Sequence, residues 1–391
     1  MSRAMLVLAA LALAGCARPR VAADARRGSA VTIRDDRVLL VDGTPFFPLG
    51  AYRDPSDTLT DFAGLKEAGF NLTHSYAFED SSEQSPATAR RYLEAAHANG
   101  LKVFMGFQRT RVKNRDWAWC RRWAAALKDC PALLTWYLMD EPTVHGIPAG
   151  AMREFHQVVK AVDPCHPTAI VYCRAASFKQ YAPCSDLFWT DPYPIPNRPL
   201  TMVERLTQLA RAAAGPQQPV WVVLQAHDLR YWRRYQQAAR QLGPPSRPTC
   251  RESRCMAFLA LASGADGLIW YWGPNRMYHM QQHAPTVWKG LCDVVHELQG
   301  LMPFLVARRT AEPTQAPEPF RLWTREAGGQ RVLAVINASP KPAKAVIDLS
   351  QYRVERVLRR RTGQGVLVVG GRIAASFEPY EVRVYQWAVA P

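Results

Sequence analysis

The chain predicts an α/β fold, a (β/α)8 TIM barrel, followed by a C-terminal antiparallel β-sandwich. Three observations carry that prediction. From about residue 46, eight short β-rich runs alternate with longer runs of helical period. Several helical runs stop at a glycine (Gly69, Gly100, Gly215 and Gly264), as capping by a left-handed residue requires. After residue 308 the runs shorten and are separated by Gly, Pro, Ser and Asn, the pattern of a small sandwich. A doubly wound sheet is the competing architecture, but no glycine-rich phosphate loop follows the first strand.

Taken in order, residues 1–16 place Arg3 before the apolar run Met5 to Ala14 and end at Gly15 and Cys16. The run is too short to span a bilayer and has the shape of a secretory signal. Residues 17–29, rich in Ala and Arg, read as a flexible tether. Val31 to Pro45 reads as a hairpin that closes the bottom of the barrel. The predicted barrel strands are Phe46 to Tyr52, Phe70 to Tyr76, Lys102 to Phe107, Leu133 to Met139, Thr168 to Tyr172, Asp186 to Thr190, Val220 to Leu224 and Gly267 to Tyr271. Helices are predicted at Leu59 to Ala68, Ala87 to Ala98, Trp117 to Leu127, Met152 to Val162, Met202 to Ala213, Arg251 to Ser263 and Val287 to Leu298. The fifth connection, Ala175 to Pro183, has the weakest helical period. The barrel domain is assigned to 30–306 and the sandwich to 308–391, with strands at Arg331 to Asn337, Ala345 to Leu349, Val354 to Leu358, Val366 to Val369 and Val382 to Trp387.

Composition narrows the function. With 391 residues, 48% apolar and 21% charged, the chain can bury one large core and a smaller one. Lys and Arg outnumber Asp and Glu by 49 to 33, a net charge of +16, and only nine of the cations are lysines. No RNP-like sequence, basic helix or zinc-finger spacing accompanies them, so nucleic acid is not an expected partner. An anionic surface or an acidic substrate remains open. Besides Cys16 there are eight cysteines, and an exported chain leads us to expect that some pair. No C-x-x-C occurs, and Cys250 and Cys255 lack a partner cluster, so neither a metal nor a cofactor is expected.

The sharpest motif is Trp136-Tyr137-Leu138-Met139-Asp140-Glu141-Pro142, an apolar strand that ends in two acids and a proline. As the fourth strand it delivers Asp140 and Glu141 to the barrel mouth, where catalytic groups collect. Capping of the next helix is the alternative explanation for two such acids, and their position at the barrel mouth favours function. A carboxyl beside aromatic walls is desolvated, which raises its pKa toward the range of a general acid. Other strand ends offer flat faces and planar polar groups as candidate substrate contacts: Tyr52 and Arg53, His74 and Tyr76, Gln108, Tyr172 and Arg174. The same holds for Tyr193, Gln225, His227, Trp270 and Trp272, with one of the last two tryptophans expected to face the barrel. For any single aromatic, core packing is the plainer role.

Two resemblances follow. Leu13-Ala14-Gly15-Cys16 resembles the lipobox of bacterial lipoproteins, which implies lipidation at Cys16, a membrane anchor and, with Ala17 next, the outer membrane. Asp42 to Gly50, Trp136 to Pro142 and Gly267 to Trp272, in that order, resemble the clan A glycoside hydrolase barrel over about residues 30 to 306. That resemblance implies a carbohydrate substrate, Glu141 as proton donor, and Asp140 in the place of an Asn that contacts the sugar 2-hydroxyl. Strand seven departs from it, because Pro219 to Asp228 ends in Gln225 where the family carries a nucleophilic Glu.

Three ways of supplying the second group stay open. Asp191, at the end of strand six, is placed to act as base for water in an inverting reaction. Alternatively, Asp140-Glu141 resembles the Asp-Glu pair of substrate-assisted N-acetylhexosaminidases. Asp228, lastly, would reach inward from its loop. The segment Asp228 to Thr249, dense in Arg and Tyr, reads as a lid over a negatively charged glycan or as a solvated helix. A catalytically inert carbohydrate-binding lipoprotein is the rival of the enzyme.

Overall fold

The structure is a computed structural model that describes residues 28–53, 61–80, 84–229, 246–272, 280–309 and 316–389. The signal segment, Cys16, most of the tether, and Arg230 to Arg240 of the proposed lid lie outside the described residues.

Eight parallel strands close into a barrel in sequential order: β1 (Leu49–Arg53), β2 (Leu72–Ser75), β3 (Lys102–Gly106), β4 (Leu133–Asp140), β5 (Thr168–Tyr172), β6 (Leu187–Thr190), β7 (Val220–Gln225) and β8 (Gly267–Tyr271). Their residues alternate between two cores. Tyr52, Phe104, Tyr137, Val171, Trp189, Val223 and Tyr271 fill the lumen, while their strand neighbours, such as Phe188, Val222 and Trp270, pack under the helices. Rings crowd the lumen. Trp189 stacks on Trp221 at 4.9 Å and on Tyr137 at 5.3 Å, and each ring fully withdrawn from water stabilises the fold by roughly 2–3 kcal/mol.

The connecting helices include Pro86–Ala98, Trp117–Leu127, Ala149–Val162, Thr201–Ala213, Cys250–Ala262 and Pro285–Gly300, while the fifth connection holds the short α-helix Phe178–Tyr181 between two 3-10 turns, Ala175–Ser177 and Ala182–Cys184. Gly69, Gly100 and Gly264 take positive φ (91°, 66° and 94°) at helix ends; Gly215 does not. Three short N-terminal strands, Val31–Ile33, Leu39–Val41 and Thr44–Phe46, form an antiparallel sheet whose Val31, Leu39 and Val41 enter the lumen core from below.

The C-terminal strands are β9 (Phe320–Ala327), β10 (Gln330–Asn337), β11 (Ala343–Asp348), β12 (Arg356–Arg359), β13 (Gln364–Leu367), β14 (Arg372–Phe377) and β15 (Val382–Ala388). They form a five-stranded sheet in the order β9-β10-β15-β12-β13 and a two-stranded sheet β11-β14. Along β10 the period of two serves both neighbours. Val332, Ala334 and Ile336 join the core under the barrel helices, while Leu333 and Val335 face Ile347, Ile373 and Phe377 inside the sandwich. Strands β9 and β14 are absent from the sequence-based expectation, because charged residues interrupt the apolar positions of β9 and the small residues Ala374, Ala375 and Ser376 dilute those of β14.

The expected disulfides do not form. All eight described cysteines are free, four of them buried. Cys250 and Cys255 lie five residues apart on one helix, which points them in different directions.

Candidate active site

Successive side chains on a strand point to opposite faces, so a regular β4 would not turn both Asp140 and Glu141 toward the mouth. Two irregularities do so. Between β4 and β5, Tyr137 pairs with Ala169 and Met139 with Ile170, so β4 carries one extra residue. This bulge puts Leu138 and Met139 together in the outer core and returns Asp140 to the side of Tyr137. Glu141 then leaves the strand at φ 42°, a left-handed conformation that costs a non-glycine residue about 1–3 kcal/mol.

Asp140 is held by two tyrosines. Tyr137 donates to Oδ1 at 3.0 Å and Tyr76 to Oδ2 at 3.3 Å, while the Tyr52 hydroxyl donates to that of Tyr137 at 3.1 Å. Burial, followed by the charges of Glu79 and Glu141, raises the Asp140 carboxyl to about 7 despite Arg109 and the Tyr137 hydrogen bond. Glu79, 4% exposed, enters from the short helix Ala77–Asp80. It meets His74 Nε2 at 2.8 Å and Arg109 Nη2 at 3.7 Å, and Arg109 also reaches Asp80 at 3.1 Å. Gly106 is what admits it, since a Cβ there would stand 2.5 Å from Glu79 Oε1. His74 Nδ1 donates to the Phe104 carbonyl at 2.8 Å, so the Nε2 contact needs one proton between imidazole and carboxyl. Both ring nitrogens of His74 are thus committed to protein groups.

The Asp191 carboxyl, 7% exposed just after β6, is pushed well above the usual range by burial and then by the charges of Glu141 and Asp140. Cys173, just beyond β5, adds a thiol that burial, then the charges of Asp191 and Glu141, keep protonated. His145, on the loop after the acids, is pushed down by burial and by Arg109 and Lys113, which keeps its imidazole neutral.

Tyr193 stacks on Tyr271 at 5.9 Å and meets His227 edge-on at 4.7 Å. The His227 ring is fully buried, donates from Nδ1 to the Tyr271 carbonyl at 3.3 Å, and is lowered to about 4, chiefly by burial. Gln108 is buried beside β3, and Arg174 is exposed at the rim. The Arg53 side chain lies outside what the structure describes.

Several expectations are corrected. Gln225 is fully buried, and its amide is spent on one residue: Ile195 N–H donates to Oε1 and Nε2 donates to the Ile195 carbonyl, each at 2.9 Å. It clamps the loop after β6 in place of touching a sugar. Trp270 and Trp272 both pack outward, against Phe70 at 6.0 and 5.6 Å, because residues two apart on a strand share a face. The inward aromatic is Tyr271 between them. Tyr172 also faces outward and donates to the Tyr181 carbonyl at 3.1 Å. Asp228 is fully buried, with Arg247 3.8 Å away.

Tyr137, Glu79, Arg109, Tyr271 and Cys173 were not singled out from sequence. Strict alternation would have found Tyr271; Glu79 and Cys173 carry no sequence signal. Among the described residues, no group of three or more His, Cys, Asp or Glu side chains is arranged to hold a metal ion.

No family model and no curated protein matches the chain. Solved structures do. An α-amylase from Geobacillus thermoleovorans complexed with acarbose is 11% identical, with TM-score 0.64, over 91% of this chain and 99% of that one. A glycoside hydrolase of family 5 from Bacteroides vulgatus is 14% identical, with TM-score 0.61, over 93% and 96%. A family 27 β-L-arabinopyranosidase from Geobacillus stearothermophilus, with arabinose, is 11% identical, with TM-score 0.61, over 88% and 97%. At these identities the likeness establishes the barrel fold. The sugars named differ from one to the next, so they select none for this chain.

Proposed function

We propose that this protein hydrolyses O-glycosidic bonds of an oligo- or polysaccharide, with Glu141 as general acid. The observation that carries this reading is the delivery of Asp140 and Glu141 to the mouth by one bulge and one left-handed residue, with Asp191, just after β6, in their electrostatic field. Strained geometry maintained at a strand end of such a barrel is characteristic of catalytic positions. The glycoside hydrolases among the structural neighbours support the same reaction class.

The arrangement favours the substrate-assisted route. Gln225, spent on Ile195, supplies no nucleophilic carboxylate at the end of β7, and the substrate-assisted route needs none there. Asp140, gripped by Tyr76 and Tyr137, faces the position of a sugar 2-substituent and orients a 2-acetamido group as it attacks the anomeric carbon. Glu141 protonates the leaving oxygen, and the positive charge on the cyclised acetamido group is opposed by the Asp140 carboxylate. Asp140 must be ionised for this, so the rate falls as pH drops below about 7.

The test is hydrolysis of chromogenic 2-acetamido-2-deoxy glycosides against their 2-hydroxy counterparts, together with envelope polysaccharides. Turnover of the acetamido series, lost in Glu141→Gln and inhibited by a thiazoline analogue of the cyclic intermediate, is the expected result. Activity that survives Glu141→Gln refutes the assignment, and no activity on any glycan favours an inert binding protein. From residues 1–16 we propose a cell-envelope location with a lipid anchor on Cys16, and from the Arg and Tyr content of Asp228 to Thr249 a negatively charged glycan as the substrate.

A further inference from the structure

Between the barrel and the sandwich opens a cleft of about 560 Å³, within the roughly 300–1,000 Å³ of small-ligand sites. The helices Cys250–Ala262 and Pro285–Gly300 form one wall, and β12, β15 and the turns beside them form the other. Both helices follow barrel strands, so Arg251 and Thr286, in their first turns, lie on the mouth side of the barrel. None of the acids or tyrosines of the mouth lines this cleft.

The lining carries six cations and four acids, a surplus of two positive charges. Arg254 binds Glu297 through two bonds of 2.6 Å, Arg359 and Arg383 share Glu381 at 3.0 and 2.7 Å, and Lys289 lies 3.5 Å from Asp293. Two arginines are left over. Arg251 and Arg361 are exposed and, among the described residues, have no carboxylate within ion-pair distance; Arg251 Nη1 donates to the Pro379 carbonyl at 3.4 Å. Glu378, also exposed, makes no side-chain ion pair among the described residues, and Thr286 and Thr362 add hydroxyls.

Tyr380, in the turn between β14 and β15, has φ 56°, a left-handed conformation that a ring-bearing residue keeps only where its surroundings impose it. Its N–H donates to the Ser339 carbonyl at 3.1 Å, and the half-buried residue forms part of the cleft wall. A bare polyanion suits this lining poorly, because four carboxylates face the same space. A neutral sugar leaves the two unmatched arginines unused. A saccharide with one or two anionic groups satisfies both, with its charges on Arg251 and Arg361, its hydroxyls on Glu378 and the threonines, and a ring face on Tyr380.

We propose that this junction cleft is a second, non-catalytic site that binds an acidic saccharide carrying one or two anionic groups. Binding there does not depend on turnover at the mouth.

The experiment is calorimetric titration of the full chain at low salt with digalacturonate, its uncharged counterpart galactobiose, and inorganic phosphate. Tyr271→Ala serves as the background, so that any contribution of the mouth is weakened. Saturable binding of digalacturonate is expected, about tenfold or more tighter than galactobiose or phosphate, and weakened about tenfold or more by Arg251→Ala together with Arg361→Ala. Both side chains are exposed, and an unchanged melting temperature confirms that the variant folds. No saturable binding, equal binding of galactobiose or phosphate, or binding that the folded double variant retains overturns the proposal.

Discussion

Asp140 and Asp266 are both buried acids at the ends of barrel strands, one at the mouth and one at the floor, and their surroundings are opposite in sign. Asp140 has acids for neighbours, Glu79, Glu141 and Asp191, with two tyrosine hydroxyls and Arg109 as relief. Asp266 has Arg37, Arg211 and Arg309 in contact and Arg325 nearby. A surplus of carboxyls retains protons, whereas a surplus of guanidinium groups around one carboxylate ties segments together. The comparison fits the general division of such barrels between a working C-terminal face and a stabilising N-terminal one.

The largest expected effect is at the mouth. Glu141→Gln should lower kcat by about 10²–10⁴-fold while melting stays at or above the parent value, because it removes one acid from a crowded cluster. Loss of folding along with activity would erase the contrast. At the floor the reverse is expected. Asp266→Asn leaves Arg37, Arg211 and Arg309 without their counter-charge and should destabilise by about 3–5 kcal/mol in urea titration, with unchanged activity per folded molecule.

Smaller effects sharpen the comparison. The folded-state pKa of Asp140 lies near 7, above its ordinary value, so its contribution to stability is full in acid and is lost as pH rises through about 7. Melting temperatures from about pH 5 to 8 should therefore fall less steeply in Asp140→Asn than in the parent. An equal slope would place the proton elsewhere. Least of all, Tyr271→Ala should raise KM by about 3–10-fold if the lumen-facing ring meets the sugar, while Trp272→Phe, on the helix side, should leave KM unchanged.

Much of the scaffold was legible in the chain. Thr168–Tyr172 and Gly267–Tyr271 coincide with their predicted spans, and the other barrel strands are displaced by up to three residues at an end. Continuous apolar runs of this length between helical periods have few alternatives to a parallel strand buried on both faces. The site was less legible. The motif Asp140-Glu141-Pro142 located the mouth, but alternation alone would have turned Met139 inward in place of Asp140. Gln225 and the two tryptophans of β8 were read as sugar contacts from their polarity and aromaticity, which do not report where an amide is spent or which face a ring takes.

The sequence by itself determined the order of strands and helices, the site's position at the end of β4 and the basic balance of +16, because hydrophobic period and net charge are local or additive quantities. Only the tertiary structure decided which acids meet. The bulge at Leu138 depends on register with β5, the entry of Glu79 on the missing side chain of Gly106, and the arginine cluster on segments more than two hundred residues apart in the chain, from Arg37 to Arg325. Register, close approach and the pairing of charges are set by burial against distant partners, and neighbours along the chain do not encode them.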